Sequence, residues 1–159
     1  MELDDTNLKI INLLQNDARM SHKQMAAVLN KSQTAIHVRI KNLEKEGFIK
    51  RYATIIDHKK IDKNLIGYTQ VHLQNHTREN LKAFKEEVIK LSEVMECYHM
   101  TGAFDFLLRI AIKDMDEYNE LLINKLSLLP SVANMQSFFV MSETKNETAY
   151  IIKPHISGE

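Results

Sequence analysis

The chain holds a single cysteine, Cys97, so no disulfide framework is possible and a reducing, cytoplasmic setting is expected. Cys97 and His99 form a Cys-x-His pair without the further ligands that a zinc site requires. No apolar run is long enough to span a membrane, and no signal peptide is expected. A Gly-rich phosphate loop, a nucleophile elbow and a His-Glu-x-x-His pattern are also missing, so no cofactor and no enzymatic chemistry is expected. Net charge is lacking too: 21 Lys/Arg balance 21 Asp/Glu. The balance hides an asymmetry. Residues 1–60 carry 11 Lys/Arg against 7 Asp/Glu, and the remainder carries 10 against 14. Between Ser21 and Lys60 only Glu44, Glu46 and Asp57 face nine Lys/Arg, the footprint of a phosphate-binding module.

Within that basic stretch two helix patterns stand close together. Ser21 followed by Gln24 is a capping box, with Met20 and Met25 placed as the hydrophobic staple around it. Asn30 suits the left-handed residue of a tight turn, and Ser32 suits the cap of a second helix running to Gly47. Ile36, Ile40 and Leu43 recur at helical spacing and must face inward. Thr34, His37, Val38, Lys41 and Lys45 are left on the opposite face, a polar and basic surface of the kind that reads a major groove. Gln33 is a further candidate at the helix start. Lys31, Lys45, Lys50 and Arg51 are the expected phosphate contacts, with Ser32 at the helix N-terminus. The competing readings are a plain amphipathic hairpin with a solvated face, and for His37 a solvated histidine.

Asp4 is placed to cap an earlier helix, whose stripe of Leu8, Ile10, Ile11, Leu13 and Leu14 ends before Asp17. Three helices would share one core. After Gly47, Phe48 to Ile56 reads as one or two short strands, the wing of a winged helix-turn-helix. The polar stretch from His58 to Asn64 reads as a connection.

These residues resemble the leucine-responsive and asparagine-responsive regulators (Lrp/AsnC), also called feast/famine regulatory proteins. The resemblance rests on Leu3-Asp4-Asp5-Thr6-Asn7 before an Ile-rich helix, Asp17-Ala18-Arg19-Met20-Ser21, and then Ala26, Ser32, Arg39-Ile40, Leu43-Glu44 and Gly47-Phe48-Ile49 at the family's spacing. Lys31 replaces the Leu usual before the capping Ser, which removes an apolar contact and offers a phosphate contact.

The second half alternates strand and helix patterns: a strand over 67–74, a helix over 80–91, strands over 94–100 and 104–113, a helix over 116–129 stopped by Pro130, and a strand over 132–141. The order βαββαβ is ferredoxin-like, an antiparallel sheet with both helices on one face. A tail strand is expected over 148–152. Val71, Leu73, Phe106, Leu108, Phe139 and Met141 are expected to supply both a core and a partner surface.

This half is similar to the family's ligand-sensing domain through Thr101-Gly102-Ala103-Phe104-Asp105-Phe106-Leu107-Leu108 and Leu129-Pro130-Ser131-Val132. The resemblance implies a small effector, commonly an amino acid, bound by the Gly-x-x-Asp loop at an interface between sensing domains. The residues it carries over are Gly102, Ala103 and Asp105, with Ser137 where the family often has Thr. Met135 stands at a second Thr position and offers no hydroxyl, which points to a partly apolar amino acid such as Met, Leu or an aromatic. By themselves Gly102 and Asp105 read equally well as turn residues.

The expected fold class is α+β, with a winged helix-turn-helix over 1–56, a linker over 57–66 and a ferredoxin-like effector and oligomerisation domain over 67–159. The expected function is sequence-specific transcriptional regulation on double-stranded DNA, modulated by a small-molecule effector. The assembly is expected to be a homodimer, with an octamer as the family's higher form and no membrane partner. The alternatives are an effector-independent regulator, a small-molecule enzyme and a protein-interaction module; a steep loss of binding with salt separates DNA from protein contact.

Overall fold

A computed structural model describes residues 3–152. The chain divides into two compact units, residues 1–55 with the segment from Lys145, and residues 56–144.

The first unit is built from α1 (Asp5–Asn16), α2 (His22–Leu29) and α3 (Gln33–Lys45). Each helix begins at a side-chain cap, because its first amides have no partner inside the helix. Asp4 accepts from the Asn7 amide, Ser21 forms the capping box with Gln24, and Ser32 accepts from the Ala35 amide. Asn30 ends α2 with φ 51°, and Gly47 follows α3 with φ 78°, the left-handed backbone that turns a chain sharply away from a helix. Ile10, Met25, Ile36, Ile40 and Leu43 are buried together between the helices.

Beyond Gly47 the strands expected for the wing are not formed: residues 50–57 carry no strand, and none of the described residues pairs with them in a ladder. Tyr52 instead donates to Glu44 Oε1 at 3.0 Å, and burial together with that carboxylate pushes its phenol up to about 12. The tail strand expected over 148–152 is absent as well. Tyr150 pairs its backbone with the side chain of Gln15, donating at 2.7 Å and accepting at 3.1 Å.

The second unit opens with a 3-10 turn over His58–Ile61, capped by Asp57, inside the stretch read as a linker. Lys63 then reaches Glu117 at 3.2 Å. The elements that follow are β1 (Leu65–Leu73), α4 (Arg78–Val88), β2 (Val94–His99), β3 (Phe106–Ile112), α5 (Met115–Asn124) and β4 (Val132–Phe139). The strand order is β2-β3-β1-β4 and every pairing is antiparallel, the ferredoxin-like arrangement. α5 stops five residues earlier than expected. Lys125 leaves helical geometry, a 3-10 turn over Leu126–Leu128 buries Leu126, and Pro130 holds Leu129 extended. Ser131 adopts φ 61°, a left-handed backbone.

Alternation along the strands decides the two faces of the sheet. Val71, Leu73, Phe106, Leu108, Ile110 and Ile112 pack with Phe84 and Val88 of α4 and Tyr118 and Leu121 of α5. Of the six residues expected to supply a core and a partner surface, Val71, Leu73, Phe106 and Leu108 are taken up by this core. Phe139 is half-buried against the same core, and Met141 is fully exposed beyond β4. The opposite face carries Tyr68, Gln70, His72, Leu107, Arg109, Gln136 and Phe138, a mixed surface of aromatic and polar side chains.

Candidate DNA interface and effector loop

On α3 the inward residues Ile36, Ile40 and Leu43 leave a continuous outer strip of Gln33, Thr34, His37, Val38, Lys41 and Lys45, all exposed. Lys31 and Ser32 stand exposed in the turn that leads into it, and Lys50 and Arg51 are exposed after Gly47. Among the described residues no carboxylate lies within ion-pair distance of Lys31, Lys45, Lys50 or Arg51, and Lys41 meets Glu44 only at 3.9 Å. The helix thus presents polar side chains and the unpaired Lys45, flanked by the unpaired Lys31, Lys50 and Arg51, which is the requirement for base contact and phosphate positioning.

Two features of this surface depend on partners that periodicity along one helix does not name. His22, in the first turn of α2, sets its ring edge-on to His37 with centroids 5.1 Å apart. Arg39 turns away from the strip, and its Nη1 donates to Asp4 Oδ2 at 2.7 Å and to Asn7 Oδ1 at 2.9 Å. Asn7 is buried, so this guanidinium ties α3 to the cap of α1. Burial acts to raise the Asp4 carboxyl, and the Asn7 amide and Arg39 outweigh it and hold it low.

In the second unit the loop of Thr101 to Asp105 joins β2 to β3. Gly102 has φ 111°, a conformation open to glycine and strained for other residues, with free space where a Cβ would stand. Among the described residues nothing accepts from the amides of Thr101, Gly102, Ala103 or Phe104. Asp105 is the loop's anchor. Its amide donates to Val71 O at 2.9 Å, its carbonyl accepts from Met100 at 2.8 Å, and its Oδ2 accepts from the Leu73 amide at 2.7 Å. Its Oδ1 meets His76 Nε2 at 2.7 Å.

Burial works to raise the Asp105 carboxyl, but the Leu73 amide, His76 and the more distant His72 hold it below the ordinary aspartate value. A carboxylate lowered in this way stabilises the folded chain above its unfolded value, and the contribution disappears as pH falls through the lower folded one. Asp105→Asn, which keeps an acceptor for Leu73, is expected to be less stable than the parent chain at neutral pH. Urea unfolding should show the gap closing as pH falls below 3.8, and a gap independent of pH would assign it to packing instead.

Ser137 is placed apart from this loop. It stands opposite Thr69, which is itself opposite Leu108, so it lies about 10 Å along the strands from Asp105 and about 10 Å across the sheet. Its hydroxyl is engaged by Thr69 Oγ1 at 2.9 Å and by the Tyr118 hydroxyl, under the helices. Met135 lies opposite Val71 and packs on the core. The structure thus brings Gly102, Ala103 and Asp105 together with His76 and assembles Ser137 with Thr69 and Tyr118. His76 lies outside the Gly-x-x-Asp pattern, and only the return of the chain from β1 into α4 brings it there.

A helix-turn-helix with an open basic strip, in one chain with a ferredoxin-like domain carrying a polar loop, defines a ligand-responsive DNA-binding regulator. Residues 3–50 match a family described as winged helix-turn-helix DNA-binding, and residues 67–150 match the Lrp/AsnC ligand binding domain. The chain belongs to the Lrp/AsnC family of transcriptional regulators. It is 34% identical to the transcriptional regulator AzlB of Bacillus subtilis over 90% of this chain and 91% of that protein. Against the leucine-responsive regulatory protein of Escherichia coli K12 the identity is 32%, over 96% and 93%. A transcriptional regulator of Neisseria meningitidis solved as a complex with L-methionine superposes with a TM-score of 0.89 at 27% identity, covering 94% of this chain and 97% of that one. The protein is therefore a regulator of transcription and not an enzyme. Among the described residues no helix is long and apolar enough to cross a membrane.

Proposed function

We propose that this regulator reads a roughly palindromic operator as at least a dimer in the cytoplasm and senses an amino acid at the loop of Gly102, Ala103 and Asp105. The observation that carries the sensing site is the pairing of a carboxylate with open amides on one short loop. Asp105 suits an ammonium group, and the amides around Gly102 suit a carboxylate. The L-methionine in the Neisseria relative supports a ligand of this class. Ser137 is held by Thr69 and Tyr118 on the helix side of the sheet, apart from the loop. On the DNA side, Gln33, Thr34, His37, Val38 and Lys41 approach bases, while Lys31, Lys45, Lys50, Arg51 and the helix start at Ser32 hold phosphates. The uncovered face of the sheet, with Tyr68, Leu107 and Phe138, supplies the subunit contact; assembly of dimers into an octamer extends it.

A thermal-shift screen of the whole protein against the twenty standard amino acids tests the sensing site, because a ligand that prefers the folded state raises its stability. A response that Asp105→Asn abolishes is the expected result, and a response unchanged in that variant removes the residue from the site. His37→Ala should alter base preference at one operator position by about 1 kcal/mol or more. If His37→Ala and Lys41→Ala both leave binding and preference unchanged, α3 is not the reading helix.

A further inference from the structure

The two oxygens of the Asp105 carboxylate have unequal partners. Oδ2 is bound by a backbone amide, that of Leu73, which belongs to a strand and stays with the fold. Oδ1 is bound by a side chain, the His76 imidazole, at 2.7 Å. The carboxylate side chain is 17% exposed and the imidazole 62% exposed, so one face of this contact opens to solvent. The position taken by His76 Nε2 is that of a nitrogen donor at a single carboxylate oxygen, on the loop whose Thr101 to Phe104 amides meet no acceptor among the described residues. An amino acid bringing its ammonium to Asp105 and its carboxylate to those amides requires the same place.

From this geometry we propose that His76 is an internal stand-in for the effector's ammonium group, and that it must swing off Asp105 Oδ1 before an amino acid binds. The inference rests on the loop reading given above and adds the residue that sets its affinity. The backbone on either side of His76 is held. Gln74 donates to Ser131 O at 2.8 Å, and the Thr77 hydroxyl caps α4 by accepting from the Asn80 amide at 3.2 Å. Exchange therefore requires only rotation of an exposed side chain, with Leu73 still held on Oδ2. His72, the other histidine near this carboxylate, acts on Asp105 only through space, so it is not displaced.

An exposed charge-assisted hydrogen bond is weak, and the competition it exerts is correspondingly modest, about three- to tenfold in affinity. Titration calorimetry at fixed pH and salt, with L-methionine first and the other standard amino acids after it, tests the inference on the full chain. His76→Ala is expected to bind about three- to tenfold more tightly than the parent, and His76→Lys, which installs a permanent cation, more weakly. Loss of a merely structural contact would not tighten binding. Equal affinity in all three proteins overturns the inference and leaves the loop reading standing, as does weaker binding by His76→Ala, which would make the imidazole a ligand contact. No binding heat from any of the twenty amino acids in any of the three proteins removes the loop reading and the inference together.

Discussion

Raising the salt concentration from 50 to 200 mM should weaken operator binding by about a thousandfold or more, with no change in the fold. Lys31, Lys45, Lys50 and Arg51 are exposed and lack an ion-pair partner among the described residues, so each is free to displace a counterion from a phosphate. Two subunits then make about eight such contacts, and affinity falls with the corresponding power of the salt concentration. Lys50→Ala should weaken all sequences alike and reduce the salt slope by about one for each bound subunit, whereas His37→Ala should change preference and leave the slope in place. Arg39 does not count among these cations, because Asp4 and Asn7 already hold it. Filter binding or fluorescence anisotropy across a salt series measures the slope, and a value near zero would reassign the basic strip to a protein partner.

Phe106→Ala should remove about 3–5 kcal/mol of stability, a large part of the roughly 5–15 kcal/mol that holds a domain folded. Its ring is fully buried, 4.5 Å from Phe84 and 4.7 Å from His99 by ring centroids, and Lys85 lies over its face at 5.8 Å. No nearby element is free to collapse into the space, since β3 is paired on both sides. The substitution also loosens the residue next to Asp105, so amino-acid response should be lost with stability. Leu107→Ala, one residue further on and on the opposite face, should cost the isolated fold little and weaken subunit association instead. Urea unfolding combined with light scattering separates the two effects. A cost below about 1 kcal/mol for Phe106→Ala would mean that the sheet packs on its helices through the other face.

Much of the first unit was legible because its signals are local. A cap acts within three residues, as Asp4 does on Asn7 and Ser32 on Ala35, and a left-handed turn needs only one residue such as Asn30. The strip on α3 followed from the spacing of Ile36, Ile40 and Leu43. The strands of the wing were not legible: Phe48 to Ile56 has the composition of a strand, but among the described residues no second segment meets its backbone groups in a ladder. The end of α5 was misplaced because Pro130 acts on the residue before it, while the departure from the helix occurs at Lys125, where Nζ meets Glu93 at 2.5 Å.

By itself the sequence determined the helix-turn-helix, the βαββαβ order, the basic strip and the Gly-x-x-Asp loop, since each is encoded by neighbours a few residues apart. Tertiary structure alone decided which sheet face the helices cover, and so committed Val71, Leu73, Phe106 and Leu108 to the core. It placed Ser137 with Thr69 and Tyr118, engaged Arg39 with α1, and brought His76 to Asp105 across 29 residues of chain. The physical reason is the same in each case. Hydrogen bonds and ion pairs between distant segments depend on where folding returns the chain, and periodicity along one segment carries no record of that return.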